Sequence, residues 1–321
     1  MMRFLLTLFI SGIVASLATS SSQAQESYLV VERYSRRVLL AERSEVKRPV
    51  AGLSHVVTAK VVMDWATAAG ASNSSLITVP QHQYHTARLN PLGLNPGDQL
   101  SIRDALYSIL LGDDCVAATT LANHVGRDLM QRRNVAGDPV AVFVAEMNNL
   151  ARSLGMGKTR FLLPCGADSL QKNSYSTASD MARLAVTLAS DSGFDFYVKQ
   201  TTRDLKVIHA EGSEQVLTVT NTNKLLKSGL RVVGLKTGYS TMAGECAAQI
   251  ANKDFYVDEL PDGKHKVTPV QLVVVVLGSA KANDFAKSLI PQGWSHYDYW
   301  RKQGYLSMPD RRGFLKLPVG Q

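Results

Sequence analysis

The chain has 321 residues, 45% of them hydrophobic, with 35 lysines and arginines against 27 aspartates and glutamates, a formal net charge of +8. That content supports one large core or two modest ones and excludes a fibrous or disordered chain. The basic residues are scattered, with neither a stripe nor interleaved stacking aromatics, which argues against nucleic acid and leaves loose association with anionic polymers or surfaces.

Residues 1–24 read as a secretory leader. Arg3 precedes an apolar run over 4–18, and the polar stretch after it ends in Ser22-Gln23-Ala24, with small residues where a signal peptidase cuts. The run is shorter than the ~20 residues a spanning helix needs. Cleavage after Ala24, export to the periplasm or beyond, and no integral membrane segment afterwards are the expectations. Three cysteines, Cys115, Cys165 and Cys246, make an odd count without a CxxC pair, so at least one thiol stays unpaired in an oxidising compartment and each reads as an ordinary buried cysteine.

Beyond the leader, stretches 28–32 and 38–41 alternate around Ser35-Arg36-Arg37 and predict an antiparallel hairpin. Val57, Val61, Val62, Trp65 and Ala69 recur at helical spacing and predict a helix from about 54 to 69. Ser101, with Asp104 three residues on, starts a helix whose buried face is Leu106, Ile109 and Leu110. Helices are also expected over 115–125, over 140–154 before Gly155, and through Ala189 from a cap at Thr177 or Ser179. After Arg203 the period becomes two, giving strands at 216–220, 231–236, 246–250 and 270–277, with a last helix near 282–290.

This order implies an α+β fold over 25–290: an antiparallel sheet flanked by helices, its N-terminal hairpin separated from the sister strands by a mostly helical insertion at about 77–200. From 291 to 321 a basic tail carrying Trp294, Tyr297, Tyr299, Trp300 and Tyr305 reads as a segment packed across the body, without a helical apolar face. His82 and His85 have a spacing a metal could use but read as a surface loop, and Lys60 reads as snorkelling to solvent.

The most informative stretch is "VVGLKTGYSTMAGEC", where Lys236-Thr237-Gly238 lies at the end of an apolar strand. The lysine supplies positive charge, the threonine hydroxyl can donate to a carboxylate, and the glycine lets a peptide lie close to the strand. Such a triplet belongs to the active sites of penicillin-binding proteins and serine β-lactamases. With "SYLVVE", "RPVAGL", "LNPGDQLSIRDALYSILLG", "MNNLARSLGM", "YSTASDMARLA", "NTNKLL" and "VVVVLG", the chain resembles the D-alanyl-D-alanine carboxypeptidase family of low-molecular-weight penicillin-binding proteins over roughly 27–290. The resemblance implies a β-lactamase/transpeptidase-like fold, action on peptidoglycan stem peptides through a serine acyl-enzyme, and no metal or other cofactor.

Set against the family's motifs, SxxK falls on Gly52-Leu53-Ser54-His55 and SxN on Asp113-Asp114-Cys115, so the catalytic positions Gly52, His55, Asp113 and Cys115 are substituted and only the substrate-binding Lys236, Thr237 and Gly238 remain. Glycine has no side chain to acylate, and loss of a nucleophile removes most of the rate enhancement. The expectation is an inactive relative that binds stem peptides or a cell-wall protein. Ser54 lies about 200° around the helix from Gly52, facing away from the cleft. The alternative keeps an active peptide hydrolase, with His55, Asp113 and Cys115 as a Cys-His-Asp site or as zinc ligands joined by Cys165. Drift, with His55 neutral or paired to Asp113, is the plainer account.

Overall fold

A computed structural model describes residues 26–81, 84–168, 174–305 and 313–318. The expected leader and His82 lie outside the described residues. Strands β1 (Ser27–Glu32), β2 (Val38–Glu42) and β3 (Arg48–Pro49) lead into a short turn at Ala51–Leu53 and helix α1 (Ser54–Ala69). There follow β4 (Leu76–Thr78), β5 (Gln99–Ser101), α2 (Ile102–Gly112), α3 (Cys115–Arg133), α4 (Pro139–Ser153), β6 (Tyr175–Ser176), α5 (Ala178–Leu188) and α6 (Ser192–Val198). The chain then forms β7 (Thr202–Ile208), β8 (Glu214–Thr220), β9 (Val232–Ser240), β10 (Gly244–Asn252), β11 (Tyr256–Glu259), β12 (His265–Thr268), β13 (Gln271–Ser279) and α7 (Ala282–Lys302).

The two ends of the chain meet in one antiparallel sheet of order β2-β1-β13-β10-β9. Its middle strand explains the unbroken apolar run at Leu272 to Leu277, every residue of which is buried. Val273, Val275 and Leu277 enter the core shared with α1, α2, α3 and α5, whereas Leu272, Val274 and Val276 enter a second core under α7. A strand covered on both faces has no need to alternate. Strand β9 lies at the sheet's edge, and α1 runs through the main core, buried on nearly every side of its first half.

The expected caps are present. Ser101 Oγ accepts from the Asp104 amide at the start of α2, and Thr177, rather than Ser179, caps α5 by accepting from the Asp180 amide. The insertion is less helical than the sequence suggests, because β4 and β5 join β7 and β8 in a four-stranded sheet. Strands of three residues are too short to declare a period.

The C-terminal expectation needs correction. Helix α7 does not stop at Ile290 but continues through Pro291 to Lys302, so the boundary at 290/291 falls inside it. Proline in a helix interior forfeits a hydrogen bond and crowds the preceding turn. Here Leu289, Ile290, Gly293 and Tyr297 bury one continuous stripe, and Gly293 sits so close to Val30 and Leu272 that a Cβ would lie 2.8 Å from Val30 Cγ1. Packing against the sheet outweighs the local defect. Residues 313–318 lie against the body: the Leu315 amide donates to the Arg36 carbonyl, and Arg37 stacks over Trp300 and Phe314.

Candidate active-site cleft

Gly52 lies in the tight turn that starts α1, just after Ala51, which takes a left-handed φ of 45°. Two other glycines hold that turn. A Cβ on Gly238 would fall 2.4 Å from the Gly52 nitrogen, and one on Gly166 would fall 2.1 Å from the Ala51 carbonyl carbon. Gly238, which also lines the cleft described below, seats β9 against the start of α1, its missing side chain facing the turn.

Facing the turn is the two-residue link between α2 and α3. Asp113 ends α2 in the left-handed region with φ 66°, and Asp114 caps α3 by accepting from the Val116 and Ala117 amides. Asp114 also accepts from Ser108 Oγ at 2.8 Å; burial pushes its carboxyl up despite these donors. The link aims Asp113 at the end of β9 and the first turn of α1. His55 Nδ1 lies 2.9 Å from Asp113 Oδ1 and donates to it, and Lys236 Nζ lies 3.0 Å from the same oxygen. Lys236 also donates to the Thr237 carbonyl at 2.6 Å.

The side chains of His55 and Lys236 are fully buried, while that of Asp113 is 20% exposed towards the cleft. Burial alone would raise the Asp113 carboxyl, but the Lys236 ammonium and the His55 hydrogen bond overcome it and hold the group well below the usual carboxylate range. Asp113 is thus the anion of a buried His55–Asp113–Lys236 cluster. It also fills the space beside Gly52: a Cβ built there would be 1.8 Å from Asp113 Oδ1.

Cys115 stands apart from this cluster. The influence of the Cys165 thiol, together with burial, pushes the Cys115 thiol well above the ordinary range, while Cys165 Sγ itself donates to the Tyr84 hydroxyl at 3.8 Å. A buried, protonated thiol is a poor nucleophile. The structure therefore brings His55, Asp113 and Lys236 together and leaves Cys115 outside. Among the described residues no three His, Cys, Asp or Glu side chains converge as a metal-ligand set. Ser54 is buried and donates to the Ala51 carbonyl at 3.1 Å. Lys60 does not snorkel freely but pairs with Asp64 at 2.7 Å and Asp191 at 3.3 Å.

Outside the cluster opens a cleft of about 370 Å³ lined by Arg88, Asp113, Thr222, Lys224, Thr237 and Tyr239. Thr237 and Thr222 share a hydroxyl hydrogen bond of 2.9 Å. Arg88 reaches across to donate to the Tyr239 carbonyl at 2.9 Å. Arg88 comes from a loop with no periodic pattern, so the sequence carried no signal for it; Thr222 and Lys224 lie in "NTNKLL", where their place at the cleft was not singled out.

The sheet, the central helix beginning beside its edge strand, and the insertion carrying the facing link define the fold of the DD-peptidases. A mutant of the Streptomyces K15 DD-transpeptidase superposes with a TM-score of 0.68 at 24% identity, over 84% of this chain and 97% of that one. The ampicillin-bound penicillin-binding protein D2 of Listeria monocytogenes gives 0.60 at 21% identity, over 87% and 97%. The chain belongs to the D-alanyl-D-alanine carboxypeptidase family, whose model matches residues 15–256. It is 29% identical over 257 residues to the D-alanyl-D-alanine endopeptidase of Pseudomonas aeruginosa, covering 75% of each chain. To the carboxypeptidase DacF of Bacillus subtilis it is 24% identical over 265 residues, 79% of this chain and 64% of that one, so it spans just under two thirds of that relative. The family is one of cell-wall enzymes working outside the cytoplasm, and no helix among the described residues is long and apolar enough to cross a membrane.

Proposed function

We propose that this protein is a catalytically silent member of its family that binds peptidoglycan stem peptides without cleaving them. The observation that carries this reading is the Asp113 carboxylate lying where a side chain on residue 52 would stand. Serine-type acyl transfer needs a nucleophile at that place and a base free to take its proton. Gly52 offers no nucleophile, the Nδ1–H of His55 is committed to Asp113, and Lys236 is neutralised by the same carboxylate. The Cys115 alternative gains no support, since its thiol is buried and held well above the ordinary thiol range.

Binding capacity remains. Strand β9 is an edge strand, and an extended peptide can add to such an edge through main-chain hydrogen bonds. The cleft offers the Arg88 and Lys224 cations and the Thr222 and Thr237 hydroxyls to a peptide carboxylate. Lys236, expected to supply positive charge to the substrate, is already paired internally with Asp113, so recognition falls to the outer groups.

The test is incubation of the purified protein with a fluorescent penicillin, alongside titration with muropeptides ending in D-alanyl-D-alanine. No covalent label, no release of D-alanine and saturable muropeptide binding are expected. Covalent labelling at any residue, or release of D-alanine, overturns the reading.

A further inference from the structure

Strand β9 pairs with β10 on one side only, so its other edge holds the main-chain groups that an added peptide strand would meet. Carbonyls two residues apart in a strand point the same way. Those of Thr237 and Tyr239 each accept a hydrogen bond from a side chain rather than from β10: Thr237 from Lys236 Nζ at 2.6 Å and Tyr239 from Arg88 at 2.9 Å. Both outward acceptors at the end of β9 are therefore occupied by the protein itself.

The two donors differ in freedom. Lys236 is buried and paired with Asp113 at 3.0 Å, so the Thr237 oxygen stays taken. Arg88 is exposed, and its guanidinium lies 5.8 Å from the centre of the Tyr239 ring. Its root is held. The Leu89 and Asn90 amides donate to the Thr86 carbonyl at 2.9 Å, and the Leu89 carbonyl accepts from the Cys115 amide at 2.9 Å, two residues from Asp113. The Arg88 side chain can swing away while its backbone stays at the cleft wall. An incoming peptide nitrogen would need to stand about 2.9 Å from the Tyr239 oxygen, the place the Arg88 nitrogen now fills.

We propose that Arg88 is the specificity-determining residue of this cleft, masking the Tyr239 carbonyl and yielding it only to a peptide that carries a carboxylate within reach of the guanidinium. The proposal rests on the stem-peptide reading and adds the condition under which the strand edge opens. A carboxylate offers the guanidinium fork a charged, two-pronged partner in exchange for a neutral carbonyl, and such bonds are the stronger ones. A peptide without that charge must break the contact between Arg88 and Tyr239 with nothing in return.

The experiment titrates the full chain and its Arg88→Met variant by isothermal calorimetry. The probe is a short acetylated peptide ending in D-alanyl-D-alanine, used as the free acid and as the C-terminal amide. Arg88 is exposed at the cleft wall, so its replacement leaves the core intact. The parent should bind the acid about tenfold tighter than the amide or better. Arg88→Met should bind the amide several-fold tighter than the parent does and the acid more weakly. The gain for the amide is the signature, because a carboxylate anchor that masks nothing cannot produce it. Binding of the acid by the parent, with an amide affinity that is unchanged or lower in Arg88→Met, overturns this proposal alone. Binding of neither form by either protein overturns the stem-peptide reading and this proposal with it.

Discussion

A side chain on residue 52 and the carboxylate of Asp113 exclude each other: a Cβ on Gly52 would stand 1.8 Å from Oδ1 and 2.6 Å from Cγ of Asp113. The two residues form a matched pair, and restoring one without the other cannot rebuild a serine site. Gly52→Ser alone should remain unlabelled by penicillin and should lose about 1–3 kcal/mol of stability from overpacking. Gly52→Ser combined with His55→Lys and Asp113→Ser relieves the clash and supplies nucleophile and base. Measurable acylation is expected only from the combination. Labelling of the single variant at residue 52 would refute the pairing.

The same carboxylate holds the cluster together. Asp113→Asn leaves the Lys236 ammonium buried without a counter-ion, which should cost about 3 kcal/mol, the low end for a broken buried pair because Asp113 keeps some solvent exposure. The pH dependence has a definite sign. A carboxyl held below its ordinary value of 3.8 stabilises the fold above that value, where it is ionised in both states. As pH falls below it, the unfolded chain takes up the proton first and the stabilisation drains away. Denaturant titrations of the two proteins should therefore differ by a constant amount near neutrality and converge in acid. Asp114, shifted the opposite way, is present in both and cancels. A gap that widens in acid would contradict the ion-pair account.

How much of this was legible in the sequence follows from the range of the interactions. The sheet strands and α1 declare themselves by local apolar pattern, and the positions of Gly52, His55, Asp113 and Cys115 follow from their flanks. The proximity of His55 to Asp113 was among the sequence-level alternatives. The capture of Lys236 by Asp113 was not legible, because it depends on a left-handed Asp113 aiming one oxygen at residues from distant parts of the chain. The seating role of Gly238 was hidden for the same reason. The continuation of α7 through Pro291 was not legible either, since a proline's local cost is visible in sequence and the compensating burial of Ile290, Gly293 and Tyr297 is not.

Gly238 gives a direct test of that seating role. In Gly238→Ala the new methyl would meet Gly52 backbone at 2.4 Å for nitrogen and 2.6 Å for Cα, atoms that cannot rotate away. Moving β9 or the turn should cost about 2–3 kcal/mol. Gly157→Ala is the control, because a Cβ there has nothing within 4 Å and its φ is not left-handed; it should fall within about 0.5 kcal/mol of the parent. Equal stability of the two variants by chemical denaturation would mean that Gly238 is not needed for the contact.

The continuation of α7 past Pro291 predicts opposite outcomes for two tyrosines that are close in sequence. Tyr297 is buried, 3% exposed, with its ring against Tyr256 and Trp300. Tyr299 is 67% exposed on the other side of the helix. Replacing Tyr297 with alanine should remove about 3–5 kcal/mol, as for other buried aromatics, whereas Tyr299→Ala should change stability by no more than about 0.5 kcal/mol. A loose aromatic tail would make both changes nearly neutral, and a tail pressed on the body in extended form would place both tyrosines, two residues apart, on one face and make them similar. Only a helix carrying the buried stripe from Leu289 to Tyr297 separates them. Thermal melts of the two variants beside the parent therefore report whether Pro291 interrupts the helix or is carried within it.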